Sequence, residues 1–371
     1  MTKKYFGKLI PRKLRLKINP LYLLSSIYRV LLAVRAAAFK SGIAKTYRLD
    51  TKVICIGNLT LGGTGKSVTV ETAVRYCNKI GKRAVILSRG YGRKNSLPDK
   101  RKGVDGILTI SDGDKVFFDD PAECGDEPLM LARKLAGVPI IVCADRVKAG
   151  RFIIEKFNPD VIILDDGYQH LRLYRDLNVL CIDSTKWLED ENLFPAGTLR
   201  ENVEAVIRAG IINLTRADLV DTNCISKWKQ WVKSKSSEIK VIISKHKIVK
   251  FRCLHGGNEV AVEELKQKKV VLASALGNNK SFEDSIKALG LDVICHHCFP
   301  DHYVYTEKDF RGIFEGLPEG AFCVVTEKDA IKILPGWFND AVKHNILVAE
   351  IELVIMEGQE WWEKKVAQVF S

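Results

Sequence analysis

The feature that most constrains this chain is the regular return of short, wholly apolar runs separated by helical patterns. The runs are "KVICI" (52–56), "AVILS" (84–88), "VPIIVC" (138–143), "DVIILD" (160–165), "NVLCID" (178–183) and "GIINLT" (210–215). Helical patterns at 66–80, 127–136 and 145–157 lie between several of them. A strand that alternates apolar and polar side chains has one wet face. A strand that is apolar throughout is covered on both. Alternation with helices therefore predicts an α/β chain whose mostly parallel sheet is flanked by helices. After "TRAD" (215–218) and a basic helix at 225–236, a second series begins. Its runs are "KVIIS" (240–244), "KVVLAS" (269–274), "LDVIC" (291–295), "FCVVT" (322–326) and "ILVAEIEL" (346–353). The expected division is a basic segment 1–49, a core 50–216 and a smaller C-terminal α/β domain 217–371. The polar stretch 93–122 reads as an insertion with a possible hairpin around "GILTI", outside the sheet core.

The loop between the first strand and the first core helix reads "GNLTLGGTGKS" (57–67). It departs from the G-x-x-x-x-G-K-[ST] cradle only in placing Thr60 where the first glycine belongs. Backbone N–H groups from Thr60, Leu61, Gly62, Gly63, Thr64, Gly65, Lys66 and Ser67 sit where a helix start gathers phosphate oxygens. Lys66 is placed to reach the β- and γ-oxygens, and Ser67 to hold Mg²⁺. The core is thus P-loop NTPase-like, with a nucleoside triphosphate and Mg²⁺ as its ligands. A second metal contact is expected where another core strand ends, and "VIILDDGYQH" (161–170) offers Asp165 and Asp166, binding directly or through water. "SRGYGR" (88–93) supplies Arg89 and Arg93 for an anionic group. "CGDEP" (124–128) puts Asp126 and Glu127 at a helix start, where capping alone is a sufficient reason. "FPDHY" (299–303) sets His302 beside Asp301.

Charge separates the N-terminus from the rest. Twelve of the 58 basic residues precede Asp50 and no acidic residue does, while the remaining 46 nearly balance the 45 acidic ones. A near-neutral body argues against nucleic acid, and a basic leader argues for an anionic surface. "NPLYLLSSIYRVLLAVRAAAFKSG" (19–42) carries a helix start at Asn19-Pro20 and a stop at Gly42. Arg29 and Arg35 interrupt it, so an interfacial amphipathic helix is expected rather than a spanning one, and a cleavable secretory leader is not expected. The ten cysteines are scattered, several inside apolar runs, as in a reduced compartment. "CHHC" (295–298) lacks a second ligand pair at zinc-binding spacing.

Together "GNLTLGGTGKS", "SRGYGR", "GDEP", "DDGYQH", "FPAGTLRE" (194–201), "FPDHY" and "VTEKDAIKI" (325–333), in that order, resemble the tetraacyldisaccharide 4′-kinase family, the lipid A 4′-kinases of Gram-negative bacteria. The motifs span about residues 50–335. The resemblance implies an ATP- and Mg²⁺-dependent kinase that phosphorylates the 4′-hydroxyl of a tetraacylated glucosamine disaccharide 1-phosphate. Its partners would be that lipid A precursor and the inner-membrane surface, on the cytoplasmic face, with no obligate protein partner. It implies that Asp126 is the catalytic carboxylate, directly or aided by His302, with Lys66 on the phosphates. Ser67, Asp165, Asp166 and Glu201 would stand at the metal, and Arg89, Tyr91, Gln169 and His170 on the substrate side. Ser67 replaces the family's more usual Thr and Tyr168 its more usual Phe, while the insertion at 93–122 is less familiar.

Two other classes fit parts of the pattern. A membrane-positioned P-loop ATPase or switch shares the loop, but Leu61 stands where that class carries its signature Lys. A cytosolic small-molecule kinase would need the basic N-terminus only to pack on the body. Lipid dependence separates both from the lipid-kinase reading.

Overall fold

The computed structural model describes residues 20–90, 106–255, 257–301, 303–338 and 345–371. Helix α1 (Pro20–Lys40) is followed by β1 (Lys52–Gly57), α2 (Lys66–Lys79), β2 (Ala84–Ser88), β3 (Leu108–Asp112), α3 (Asp126–Lys134), β4 (Pro139–Val142) and α4 (Arg146–Phe157). Then come β5 (Val161–Asp165), β6 (Leu177–Asp183), β7 (Ile211–Thr215) and α5 (Thr222–Lys235). The second half adds β8 (Lys240–Cys253), β9 (Glu259–Val260), β10 (Lys269–Ser274), α6 (Asn279–Ala288) and β11 (Asp292–Cys298). It ends with α7 (Glu307–Glu315), β12 (Phe322–Thr326), β13 (Ile346–Glu357) and α8 (Gln359–Ala367).

The strands form one sheet in the order β11-β10-β12-β13-β8-β7-β6-β1-β5-β2-β4-β3, with β9 beside β8. Its first half is parallel from β8 through β4, as the expected P-loop-like architecture requires. Successive side chains of β1 enter two different cores. Ile54 and Ile56 join the cluster under α2, while Val53 and Cys55 join the cluster under α4. That is why the run is apolar throughout. In the second half Val270 and Leu272 face one core, Val271 and Ala273 the other.

β8 joins the halves. It continues well past the "KVIIS" run, because only Lys240–Ile243 pair with β7. The remainder, from Ile243 to Cys253, pairs antiparallel with β13. The chain then returns: α8 packs Trp362 and Val366 into the first-half core with Val70 and Val74. Tyr76 of α2 donates to the Glu363 carbonyl at 3.2 Å.

The expectation for 93–122 is corrected in part. Residues 91–105 lie outside the description. The "GILTI" run, however, belongs to the main sheet: β3 pairs antiparallel with β4 at its edge, and Leu108 and Ile110 are buried in the first-half core. An antiparallel edge strand needs only one apolar face, and the irregular register between Thr109 and Ser111 blurs its alternation. A hairpin is present as well, for Ser111 bridges Val116. "CHHC" lies on β11, where neighbours point to opposite faces. His296 Nε2 lies 2.8 Å from Ser274 Oγ, and Cys295 Sγ is 3.7 Å from His297 Nε2.

Candidate active site

Parallel strands end together, so β1, β5, β6 and β7 deliver their following loops to one edge of the sheet. The loop after β1 is held from both sides. Leu61 N donates to Thr198 O and Arg200 N donates to Leu59 O, each at 2.7 Å. Gln169 Nε2 donates to the Asn58 carbonyl at 2.8 Å. Gly65 caps α2 at φ +78°, and a Cβ there would meet His246 Nε2 at 2.6 Å, so position 65 tolerates only glycine. Lys66 opens α2 and is itself buried. The Thr64 hydroxyl is buried without a hydrogen-bond partner among the described residues. A helix start with unspent N–H groups, an inward lysine and an unpartnered hydroxyl is a receptor for an anion.

The two aspartates after β5 share a chain position but not an environment. Asp165 is buried. Its Oδ2 accepts from Ser88 Oγ at 3.0 Å, while its Oδ1 has no partner among the described residues. Burial, with Glu127 and Asp166 nearby, pushes its carboxyl up to about 7. Asp166 stands in the left-handed region at φ 50° and turns back toward the cradle. Arg200 Nη1 donates to both its oxygens at 2.9 and 2.7 Å, and Lys66 Nζ is 3.8 Å away. Burial raises its carboxyl, but Lys66 and Arg200 outweigh that and hold it below the ordinary value. One carboxylate is thus neutralised by cations, and the other is left short of one. An unpartnered, buried oxygen of this kind fits a hard divalent cation.

Asp126 begins α3, and its Oδ2 is 3.3 Å from Lys332 Nζ, a residue of the second half. Glu201 is paired with Arg208, which donates to both its oxygens at 2.8 and 2.9 Å and lies over the Tyr168 ring at 4.7 Å. Gln169 braces the cradle rather than pointing away from it. His170 has its Nε2 buried without a described partner, and burial with Arg146 and Arg172 lowers it to about 4, so it is neutral. Arg89 is exposed beyond β2, close enough to Arg146 to add to the burial that depresses that guanidinium. Tyr91, Arg93 and His302 lie outside the described residues.

Three residues of this site were not singled out from sequence. Arg200 sits inside "FPAGTLRE" but is overshadowed there by Glu201. Arg146 follows the α4 cap Asp145, whose carboxylate accepts from Val147 N and Lys148 N, and so reads as ordinary helix punctuation. Lys332 is the last residue but one of "VTEKDAIKI", and its partner lies about two hundred residues earlier.

Helix α1 touches the same edge. Ser25, its one buried residue, donates to Leu193 O at 2.8 Å and accepts from Ala196 N at 2.9 Å. Tyr28 OH donates to Arg200 O at 2.9 Å and Arg35 Nη2 to Gln169 O at 2.7 Å. Most of its large apolar side chains stay outside, Leu23 67%, Leu31 61% and Val34 62% exposed, while Tyr28 and Leu32 pack partly buried against the body. By length and composition alone α1 is long and apolar enough to cross a membrane.

Comparison with known proteins agrees with this geometry. Residues 18–371 match the family model described as tetraacyldisaccharide-1-P 4′-kinase. A tetraacyldisaccharide 4′-kinase of Elusimicrobium minutum is 33% identical over 350 residues, covering 92% of this chain and 88% of that protein. One from Geobacter metallireducens is 35% identical over 323 residues, covering 86% and 90%. A crystal structure of LpxK from Aquifex aeolicus in complex with ATP superposes with a TM-score of 0.75 at 29% identity, covering 94% of this chain and 98% of that one. With a nearly full-length family match and relatives above 30% identity, the chain belongs to the tetraacyldisaccharide 4′-kinase family.

Proposed function

We propose that this protein transfers the γ-phosphate of ATP to the 4′-hydroxyl of tetraacyldisaccharide 1-phosphate, at the cytoplasmic face of the inner membrane. The observation that carries the reading is the buried Lys66 at the start of α2, facing the Asp166–Arg200 pair at the end of β5. The cradle 60–67 would hold the triphosphate, with Lys66 on its outer oxygens. Asp165, with Ser67 and Asp166 beside it, would hold Mg²⁺, which when bound supplies charge neutralisation to the phosphates. Glu201 stays in this reading as a further carboxylate on the metal side. Arg89, Tyr91 and His170 are assigned to the acceptor side, with Gln169, whose amide braces the cradle, supporting that side from behind.

A sugar hydroxyl is a weak nucleophile, so a poised carboxylate contributes. Asp126 would take the proton, with His302 assisting, as the 4′-oxygen bonds to the γ-phosphorus. The bond from that phosphorus to the bridging oxygen breaks, and ADP leaves with the electron pair. Phosphoryl transfer otherwise asks the protein for positioning and charge more than for covalent chemistry. The outward apolar face of α1 and the basic residues before it suit an anionic leaflet where the acylated acceptor lies.

The test follows label from [γ-³²P]ATP with Mg²⁺ in detergent micelles, with and without tetraacyldisaccharide 1-phosphate. Label is expected in the lipid with the parental chain and, with Lys66→Ala, to fall by a factor on the order of 10² or more. Hydrolysis of ATP with no label in the lipid overturns the reading in favour of a membrane-positioned ATPase.

A further inference from the structure

Two lysines, Lys332 buried and Lys134 partly so, lie where the halves of the molecule meet, and they are treated differently. Lys134 of α3 has its charge met three ways. Its Nζ is 2.9 Å from Glu71, 2.9 Å from Glu327 and 2.7 Å from the Ile351 carbonyl. That set spans α2, α3, the one-turn helix Glu327–Ala330 and β13, and it is a complete structural clamp.

Lys332, just beyond the same one-turn helix, has a side chain only 5% exposed, yet its Nζ makes no hydrogen bond among the described residues. Its nearest charges are Asp126 Oδ2 at 3.3 Å and Asp329 Oδ1 at 3.9 Å. Asp329 is already committed, accepting from Thr326 Oγ1 at 2.6 Å and from Ala275 N at 3.2 Å. The Tyr305 ring adds a face 6.0 Å away. A buried ammonium needs good acceptors, and a merely structural lysine would have them. Lys332 instead has its strongest attraction across the boundary, to the carboxylate at the start of α3.

We propose that Lys332 is a positioning residue for Asp126: its ammonium, brought by the second half of the molecule, holds that carboxylate ionised and aimed while it receives the acceptor's proton. This rests on the reading of Asp126 as the proton acceptor. Besides Asp126, the described titratable groups facing Lys332 are Asp329 on its own turn and Tyr305 before α7. Among the described groups that face Asp126 are Lys332 and, from the preceding turn, the Cys124 thiol. The active carboxylate would then be complete only when both halves of the sheet are in place.

The experiment compares Lys332→Met, Lys332→Arg, Lys134→Met and Asp126→Asn as full-length chains in mixed micelles with ATP, Mg²⁺ and tetraacyldisaccharide 1-phosphate. Turnover, KM for ATP, thermal midpoint and the pH profile of kcat are read for each. Lys332→Met is expected to lower kcat by a factor on the order of 10², with KM for ATP and the midpoint unchanged. Its acidic limb should move to higher pH, because a carboxylate without its ammonium gives up its proton later. Lys332→Arg should recover part of the loss, and Lys134→Met should lower the midpoint instead. Parental turnover in Lys332→Met with an inactive Asp126→Asn overturns this proposal alone. So does a loss in Lys332→Met that tracks the thermal midpoint. An active Asp126→Asn overturns the underlying reading and this proposal with it.

Discussion

Helix α1 opens the described chain and α8 nearly closes it, and the two use their side chains in opposite senses. α8, "QEWWEKKVA", is the more polar, yet it buries Trp362 and Val366 against α2. α1, "PLYLLSSIYRVLLAVRAAAFK", is far more apolar, yet buries only Ser25. A surface helix ordinarily turns its apolar stripe inward and its polar face to water. α8 obeys that rule; α1 departs from it, leaving most of its large apolar side chains outside while only part of that face, Tyr28 and Leu32 among it, packs on the core. In α1 the hydroxyls of Ser25 and Tyr28 and the guanidinium of Arg35 face the protein, while Leu23, Leu31 and Val34 face out. Apolar content therefore does not say which helix belongs to the core. An outward apolar face with inward hydrogen bonds is what a helix needs to rest on lipid and still touch the site, through Arg200 and Gln169.

The comparison can be broken first at Trp362. Trp362→Ala should destabilise the chain by about 3–5 kcal/mol, since it empties a filled site in the first-half core. Urea unfolding measures this, and a loss under about 1 kcal/mol would mean α8 is not part of that core. The next effect is at Leu31. Leu31→Ser should leave the unfolding midpoint within about 0.5 kcal/mol of parental, because the side chain is already in water. It should weaken binding to anionic vesicles about tenfold, close to the ~1.5 kcal/mol of one buried aliphatic side chain. An equal loss in stability would show that α1 packs like α8 after all. The smallest effect sharpens the inward side. Tyr28→Phe removes one hydrogen bond to the Arg200 carbonyl and should cost about 0.5–1.5 kcal/mol of stability with vesicle binding intact. The opposite outcome, weaker vesicle binding at full stability, would detach Tyr28 from the body.

Much of the architecture was legible because burial on both faces leaves a strong local mark. The runs at 52–56, 84–88 and 160–165 are strands as expected, and the helix patterns end within a few residues of α2, α3 and α4. β3 escaped because an edge strand has to hide only Leu108 and Ile110. The length of β8 escaped because residues 245–253 alternate around charges that only β13 explains. In the site, the loop 57–67 and the "DDG" turn are local strings and could be read as such. Arg200, Arg146 and Lys332 could not, for each gains its meaning from a group far away in the chain.

By itself the sequence determined the sheet class, the phosphate cradle with Lys66 at a helix start, the carboxylates at the end of β5 and the charge asymmetry of the N-terminus. These depend on residues within one or two elements of each other, where periodicity and turn chemistry act directly. Only the tertiary structure decided that Asp165 is short of a cation while Asp166 is not. It alone decided that Glu201 is held by Arg208 and that α1 faces its polar groups inward. It also decided that Lys332 crosses from the second half to Asp126. Charge, burial and hydrogen bonding depend on distance in space, and these partners are set by how separate elements pack rather than by any one stretch of chain.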